Sequence, residues 1–452
     1  VPGRPEQHDH ADRRIRHHSR GHHLAECQIQ ITLWQVYRLG QTVYTVKFMA
    51  RESYLPDDRP IVGERIRTWR RYRGMPLKTL AGLAGISVGL LSEVENGKRI
   101  LDRRSQLTAV AAALQVSTAD LTDQPGAPLF PEHAAALATV PAVRSALVLL
   151  ALDDEHTAGR ELTALRRDTD ALQPLRAAAR YDKIGPLLPD LLRDLGARCR
   201  TGTAAQRREA LRLMVRATYC ATYTLKYLGH RDLAMTAAEA CGRAATELAE
   251  PAYLGLAAFT RLHSLPPETK ALTGRLAGEA ADRLQPHLSD ADTAQVYGML
   301  HLSAAFAAAV TERAGDTHAH LAEADAVASR TGEGEFAGLC FGPTNIGFWR
   351  VAIAVELGEG GRVDEIARQL RPEVVDSASR RASFFADLGR GYAQAGADAR
   401  AVEAFCVAER LAPQRIRAST TVRETVGDIL RRARREAGGQ QLRALARRVG
   451  VV

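Results

Sequence analysis

The residues best placed to do chemistry lie in one short stretch. Leu91 and Val94 are three apart in a helical pattern and pack inward, so Ser87, Val88, Gly89, Ser92 and Glu93 face outward. Lys98, Arg99, Arg103 and Arg104 follow at once. Such a cluster suits an anion, and Arg in particular offers a planar fork that matches phosphate and guanine. The whole chain leans the same way: 61 Lys and Arg stand against 52 Asp and Glu, a net charge of +9, with a pI of about 9.4. A basic balance favours an anionic partner, of which nucleic acid is the commonest. Arg exceeds Lys along the entire chain, so much of the excess reflects a GC-rich coding bias and not contact.

These residues need a scaffold, and the surrounding sequence describes one. A first amphipathic helix runs from about Val62 to Arg73, with Ile66, Trp69 and Tyr72 at helical spacing and Arg65, Arg67, Arg70, Arg71 and Arg73 on the rest of its surface. Gly74 ends it, and Pro76 suits the first turn of a second helix carrying Leu77, Leu80, Ala81 and Ala84. Gly85 tolerates the positive φ of a tight interhelical turn, and Ser87 is a good N-cap for the third helix. A fourth helix holds Leu107, Val110, Ala111 and Leu114, and a short fifth runs from Ser117 to Leu121.

The run Leu80-Ala81-x-x-Ala84-Gly85-Ile86-Ser87, then Leu91-Ser92-x-Val94-Glu95-Asn96-Gly97-Lys98-Arg99, then Leu107-x-x-Val110-Ala111-x-Ala113-Leu114-x-Val116-Ser117-x-x-x-Leu121, resembles the Cro/phage-repressor (XRE-type) helix-turn-helix family. The resemblance implies that the third helix enters the major groove of double-stranded DNA. It makes Ser87, Val88, Gly89, Ser92 and Glu93 the base-facing set. Asn96, Lys98 and Arg99 would hold phosphates, with Arg103, Arg104 and Arg70 as weaker candidates. Glu95 is expected to support local packing. The recognition positions here are small or apolar where Gln, Arg or Asn often sit. Glu93 can accept from cytosine N4 and Val88 can touch a thymine methyl, so direct readout is thin and salt dependence should be steep.

Behind a Pro/Gly linker the pattern is helix after helix, with breaks at Pro251, Pro266–Pro267, Pro343 and Pro413. Hydrophobic residues are 46% of the chain and aromatics 5%, a balance rich in Ala and Leu that favours helices over sheets. Phe385-x-x-Leu388-Gly389-x-x-Tyr392, Gly396, then Ala401-x-x-x-Phe405-x-x-Ala408-x-x-x-x-Pro413 resembles a tetratricopeptide repeat. Looser copies are Leu225 to Cys241 with Gly229 in the turn, Ala304 to Val327 with Gly315, and Arg350 to Ala367 with Gly358. Repeats of this kind must stack to bury their faces, so a right-handed superhelix over residues 135–415 is expected, its concave face the binding groove. Asn345 and Arg350, beside aromatics at a helix start, are candidate ligand-groove residues; a turn with a core aromatic pair, Asn345 capping locally, is the favoured alternative. The basic tail from Arg415 to Arg448, including Arg431, Arg432, Arg434 and Arg435, reads as a capping helix whose Val426, Ile429 and Leu430 cover the last repeat; assistance to DNA binding is the other reading.

The expected fold class is therefore all-α: a five-helix lambda-repressor-like DNA-binding domain at 59–122, a linker at 123–134, and a tetratricopeptide-like α-solenoid with a basic C-terminal helix at 135–449. Residues 1–58 stand apart, with His8, His10, His17, His18, His22 and His23 followed by a β-leaning stretch from Ile29 to Val46. They read as a disordered tail in preference to a metal site, and Met49 as the natural start. Six scattered cysteines, Cys27, Cys199, Cys220, Cys241, Cys340 and Cys406, form no zinc spacing and fit a reducing cytoplasm. No apolar run is expected to span a membrane, and the start lacks a signal-peptide core. No phosphate loop, zinc motif or triad spacing points to an enzyme, and no cofactor is implied; His263, His318 and His320 would form a site only by accident of packing. The leading expectation is a bacterial, cytoplasmic transcriptional regulator, a homodimer on DNA, whose repeats dimerise or sense a peptide or other ligand. The alternative is a scaffold whose repeats grip a partner protein, with DNA contact secondary.

Overall fold

A computed structural model describes residues 32–39, 42–49, 61–122, 129–152, 159–433 and 439–451. The chain divides into two units, residues 1–57 and 58–452. In the first, β1 (Thr32–Leu39) and β2 (Thr42–Met49) pair antiparallel, with Thr32 opposite Met49 and Leu39 opposite Thr42. Val, Tyr and Thr recur in both segments, and such residues fit a pleated ladder. The His-rich start and Cys27 lie outside the described residues.

Residues 58–452 are helical, apart from a single bridge between Gly334 and Phe341 among the described residues. Five short helices come first: α1 (Ile61–Tyr72), α2 (Leu77–Leu83), α3 (Val88–Glu95), α4 (Arg104–Leu114) and α5 (Thr118–Thr122). They share one small core of Val62, Ile66, Leu80, Leu91, Leu114 and their neighbours. Trp69 packs against that core, whereas Tyr72 is 81% exposed and touches only the edge of the Trp69 ring. The three-residue spacing placed Tyr72 with Trp69, but α1 ends at Tyr72 and its last turn overhangs the core.

From residue 131 onward, helices stack as antiparallel neighbours. Ala204–Tyr227 lies against Arg231–Leu248, Ala291–Val310 against Ala314–Thr331, and Ala378–Gln394 against Asp398–Leu411. These helix pairs make the C-terminal region consistent with an α-solenoid. The last pair shows why its residue types recur. A Cβ on Gly389 would stand 2.9 Å from the Phe405 ring, so only glycine lets the buried phenylalanine approach that closely. In the Ala304 to Val327 segment the turn falls earlier than expected: Glu312 takes the left-handed conformation (φ 58°), and Gly315 lies inside the following helix. The end of the stack is closed by Thr420–Ala433 and Gln440–Arg448, which bury Val422, Val426, Ile429 and Leu445, as a capping role requires. Arg434 and Arg435 lie outside the described residues.

The stack curls until early and late helices meet. The Arg176 guanidinium donates to the Gly338 carbonyl (2.8 Å), the Asp182 backbone N–H to Gln414 (3.3 Å), and Arg415 lies 4.2 Å from the centre of the Tyr227 ring. One expectation is corrected here. Two apolar helical stretches do reach membrane-spanning length: Pro131–Leu152, of hydropathy 1.9, and Ala291–Val310, of hydropathy 1.2. The second is a core helix, 89% of its apolar window being buried, while the first has only 28% buried and leaves Val148 and Leu152 exposed.

Candidate nucleic-acid interface

Helices α2 and α3 meet at 115°, within the usual range for a helix-turn-helix pair. Gly85 makes the turn with a φ of 64°, a conformation unfavourable for a residue with a Cβ. Ser87 then caps α3, its hydroxyl accepting from the Leu90 N–H at 3.1 Å. Leu91 and Val94 are fully buried, which fixes the roll of α3. A further constraint was not read from sequence: a Cβ on Gly63 would stand 2.1 Å from the Val94 carbonyl oxygen, so α1 crosses the end of α3 backbone to backbone.

With the roll fixed, the outward set is as expected. Ser87, Val88, Gly89 and Glu93 are exposed and Ser92 is half-buried. Lys98 and Arg99 are exposed just past the end of α3, and Arg99 lies 3.6 Å from Glu93. Asn96 is exposed, with its amide donating to the Ser92 carbonyl at 2.8 Å. Lys78, also exposed at the start of α2, extends the cationic surface; its place in the first turn after Pro76 was the available signal.

Of the three cations named as weaker phosphate candidates, Arg70 and Arg104 hold carboxylates of the protein itself. Arg70 grips the buried Glu95 with two hydrogen bonds, 2.6 and 2.7 Å, and donates to the Met75 carbonyl. The Glu95 contacts raise its pKa and tie α1 to α3, so Glu95 is the packing residue the sequence indicated and Arg70 is its partner. Arg104 turns toward the C-terminal helices, where its N–H and its guanidinium each donate to Glu356 at 2.9 Å. Arg103, half-buried, runs 3.9 Å from the position of a Cβ on Gly358. Arg70 and Arg104 each carry a carboxylate partner that the linear sequence hides.

Arg104 belongs to a junction between the five-helix domain and the C-terminal helical region. Glu356 also accepts from Arg390 at 3.1 Å, and Arg390 donates to the Asp102 carbonyl at 2.8 Å. The side chains of Glu356 and Arg390 are 1% and 5% exposed. Burial alone would raise the Glu356 pKa; Arg104 and Arg390 outweigh it and hold the carboxyl below the usual carboxylate range. The Thr118 N–H donates to Glu268, and the Val62 N–H to Glu424 at 3.4 Å. The domain thus docks through α4, α5 and the start of α1, and the outward face of α3 stays open. Glu356, closing the apolar run from Val351 to Val355, was the one sequence signal for this contact.

The candidate groove residues separate. Asn345 is fully buried, its carbonyl accepting from Arg380 Nε at 2.6 Å, while Arg350 lies on the surface paired with Asp325. His263, His318 and His320 do not converge: His263 meets Ser303 at 3.3 Å, His320 meets His301 at 3.1 Å, and His318 bonds the Ala314 carbonyl.

Fold and face together define a helix-turn-helix domain, with a helical region consistent with an α-solenoid behind it. Residues 61–124 match the family model described as a helix-turn-helix domain, which supports DNA binding by this part of the chain. No curated protein and no solved structure gives a significant match.

Proposed function

We propose that the chain is a cytoplasmic, non-enzymatic regulator of transcription, of XRE type, that binds specific double-stranded DNA through α3. Its tetratricopeptide-like repeats dimerise or sense a ligand, a peptide being one class. The observation that carries the reading is the open face of α3, with Ser87, Val88, Gly89 and Glu93 exposed beside Lys98 and Arg99, within the helix-turn-helix match. The small residues allow the helix backbone to come close to base edges, and Lys98, Arg99 and Lys78 supply phosphate contacts. A dimer would read two half-sites about 34 Å apart, or a multiple of that spacing. The test is selection of bound sequences from a random duplex library by the full chain and by a Lys98→Ala, Arg99→Ala variant. A shared two-fold motif, lost in the variant, is the expected result; retention of only sequence-independent binding would overturn it. The engagement of Glu93 with Arg99 leaves little polar readout and favours, as second reading, a scaffold for partner proteins; that reading predicts no enriched motif.

A further inference from the structure

The repeats and the α4–α5 edge enclose a chamber of about 460 Å³, within the range of small-molecule sites. Arg104, Leu107, Thr108, Thr118, Ala119 and Thr122 line it from the five-helix domain, and the helices behind it supply the rest. Eight of its lining side chains are Arg or Lys and a single one, Asp387, is acidic. Arg104 and Arg390 are neutralised by Glu356. The other six, Arg176, Lys226, Arg231, Lys270, Arg380 and Arg415, have no carboxylate within ion-pair distance among the described residues.

Aromatic rings stand where carboxylates would be expected. Arg176 lies 4.9 Å from the centre of the Tyr219 ring, Lys226 5.5 Å from that of Tyr223, and Arg380 5.4 Å from that of Trp349. Burial, with Arg231, Lys270, Arg415 and Arg104 nearby, holds Lys226 well below the usual lysine range. Burial, with Arg104 and Arg231 nearby, pushes Lys270 down to about 8 against the opposing pull of Glu356 and Glu268. Tyr181 Oη, Trp349 Nε1 and Arg380 Nη2, all on lining residues, are buried without a hydrogen-bond partner in the protein. Crowded like charges and unmet donors oppose folding. One compact anionic ligand would offset several of these charges at once.

We propose that the chamber binds a small polyanion bearing a planar ring, of the nucleotide class, with its phosphates among Lys226, Lys270, Arg231 and Arg380 and its ring against the Tyr223 and Trp349 wall. This deepens the ligand-sensing part of the reading above and rests on it. Because α4 and α5 form part of the wall, a ligand that binds one domain arrangement better than another shifts DNA affinity wherever DNA also distinguishes those arrangements, and DNA then shifts ligand affinity by the same factor. Asn345 serves the site indirectly, by holding Arg380.

The experiment is calorimetry and thermal denaturation of the full chain without DNA. The probes are ADP, GDP, CDP and UDP, with pyrophosphate and the nucleosides alone as separate arms. At least one diphosphate should bind, raise the melting temperature and quench Trp349, with pyrophosphate and nucleoside each about tenfold or more weaker. Binding restores charge to Lys226 and Lys270, so it should take up protons and weaken as pH rises through about 8. Lys226→Met and Arg380→Met should abolish binding, yet Lys226→Met should leave the free protein as stable or more so, since burial and neighbouring cations hold the amine away from its ordinary ionised state, a cost that Met does not carry. A purely structural lysine would give the opposite sign. Absence of binding by every probe at millimolar concentration overturns the proposal, as does binding that survives both substitutions. Pyrophosphate binding as tight as the diphosphate overturns the planar-ring part. No DNA is present, so failure here leaves the regulator reading standing, and failure of sequence selection leaves this one standing.

Discussion

On one side of the five-helix domain, Ser87, Val88, Gly89 and Glu93 meet solvent with hardly a contact among them. On the α4–α5 edge, Arg104 shares the buried Glu356 with Arg390, and Thr118 is tied to Glu268. The outward face is chemically sparse and, apart from the Ser87 cap, its side chains do little for folding, so Val88, Gly89 and Glu93 can be exchanged at small cost. The inward face is charged and enclosed, and removing any one partner strands another. Specificity can therefore be altered on α3 without disturbing the junction, while the junction can be altered only through stability.

The sharpest way to break this contrast is Glu356→Ala. It leaves Arg390 buried and Arg104 unmatched, and should cost about 3–5 kcal/mol in urea unfolding. The same carboxylate gives a pH dependence. Its folded pKa lies below the ordinary value of about 4.3, so its contribution is complete above that pH and is lost as pH falls through the lowered folded value. Acid should thus release the five-helix domain first at this junction, read as increased proteolysis in residues 123–134. A variant that unfolds like the parent would dissolve the distinction between the two faces.

Next in size is a comparison of cations. Arg70→Ala strands Glu95, which is 4% exposed, and should cost about 3 kcal/mol. The Lys98→Ala, Arg99→Ala pair should leave stability within about 0.5 kcal/mol and reduce the slope of log K against log salt by about 2. If Arg70→Ala instead lowered the salt slope with stability intact, the assignment of Arg70 to Glu95 would fail. A smaller effect is expected at Gly389→Ala: the new Cβ meets the Phe405 ring and should cost about 1–3 kcal/mol by overpacking, against the gain in helix propensity.

These cases show what a linear sequence carries. The Ser87 cap, the Gly85 turn and the Gly389–Phe405 packing depend on neighbours within one or two helices, and spacing alone locates them. Arg70 and Lys98 look alike in the sequence as isolated cations; only the position of Glu95, across the fold, separates them. Arg104 and Glu356 are 252 residues apart, and no local pattern joins them. The chamber is the extreme case, because its cations come from at least six helices, each reading as an ordinary solvated Arg or Lys. Gly315 shows the reverse error: a glycine near the right place suggested a turn, but the backbone reversed at Glu312, three residues earlier, because the preceding helix ends at Val310.

The smallest effect tests the thinness of readout itself. Glu93 and Arg99 are 3.6 Å apart with 47% and 60% of their side chains exposed, so their mutual attraction is weak and screened by salt. Glu93→Ala removes a negative charge from a surface that must approach phosphates and releases Arg99 to meet one. Affinity for arbitrary duplex should rise, by at most about fivefold, since exposed pairs are worth at most about 1 kcal/mol. Affinity for the selected motif should rise less or fall, because the group able to accept from cytosine N4 is gone. Equal gains on both duplexes, measured by fluorescence anisotropy at one fixed salt concentration, would mean that Glu93 reads no base and that specificity resides in Ser87, Ser92 and the shape of the DNA.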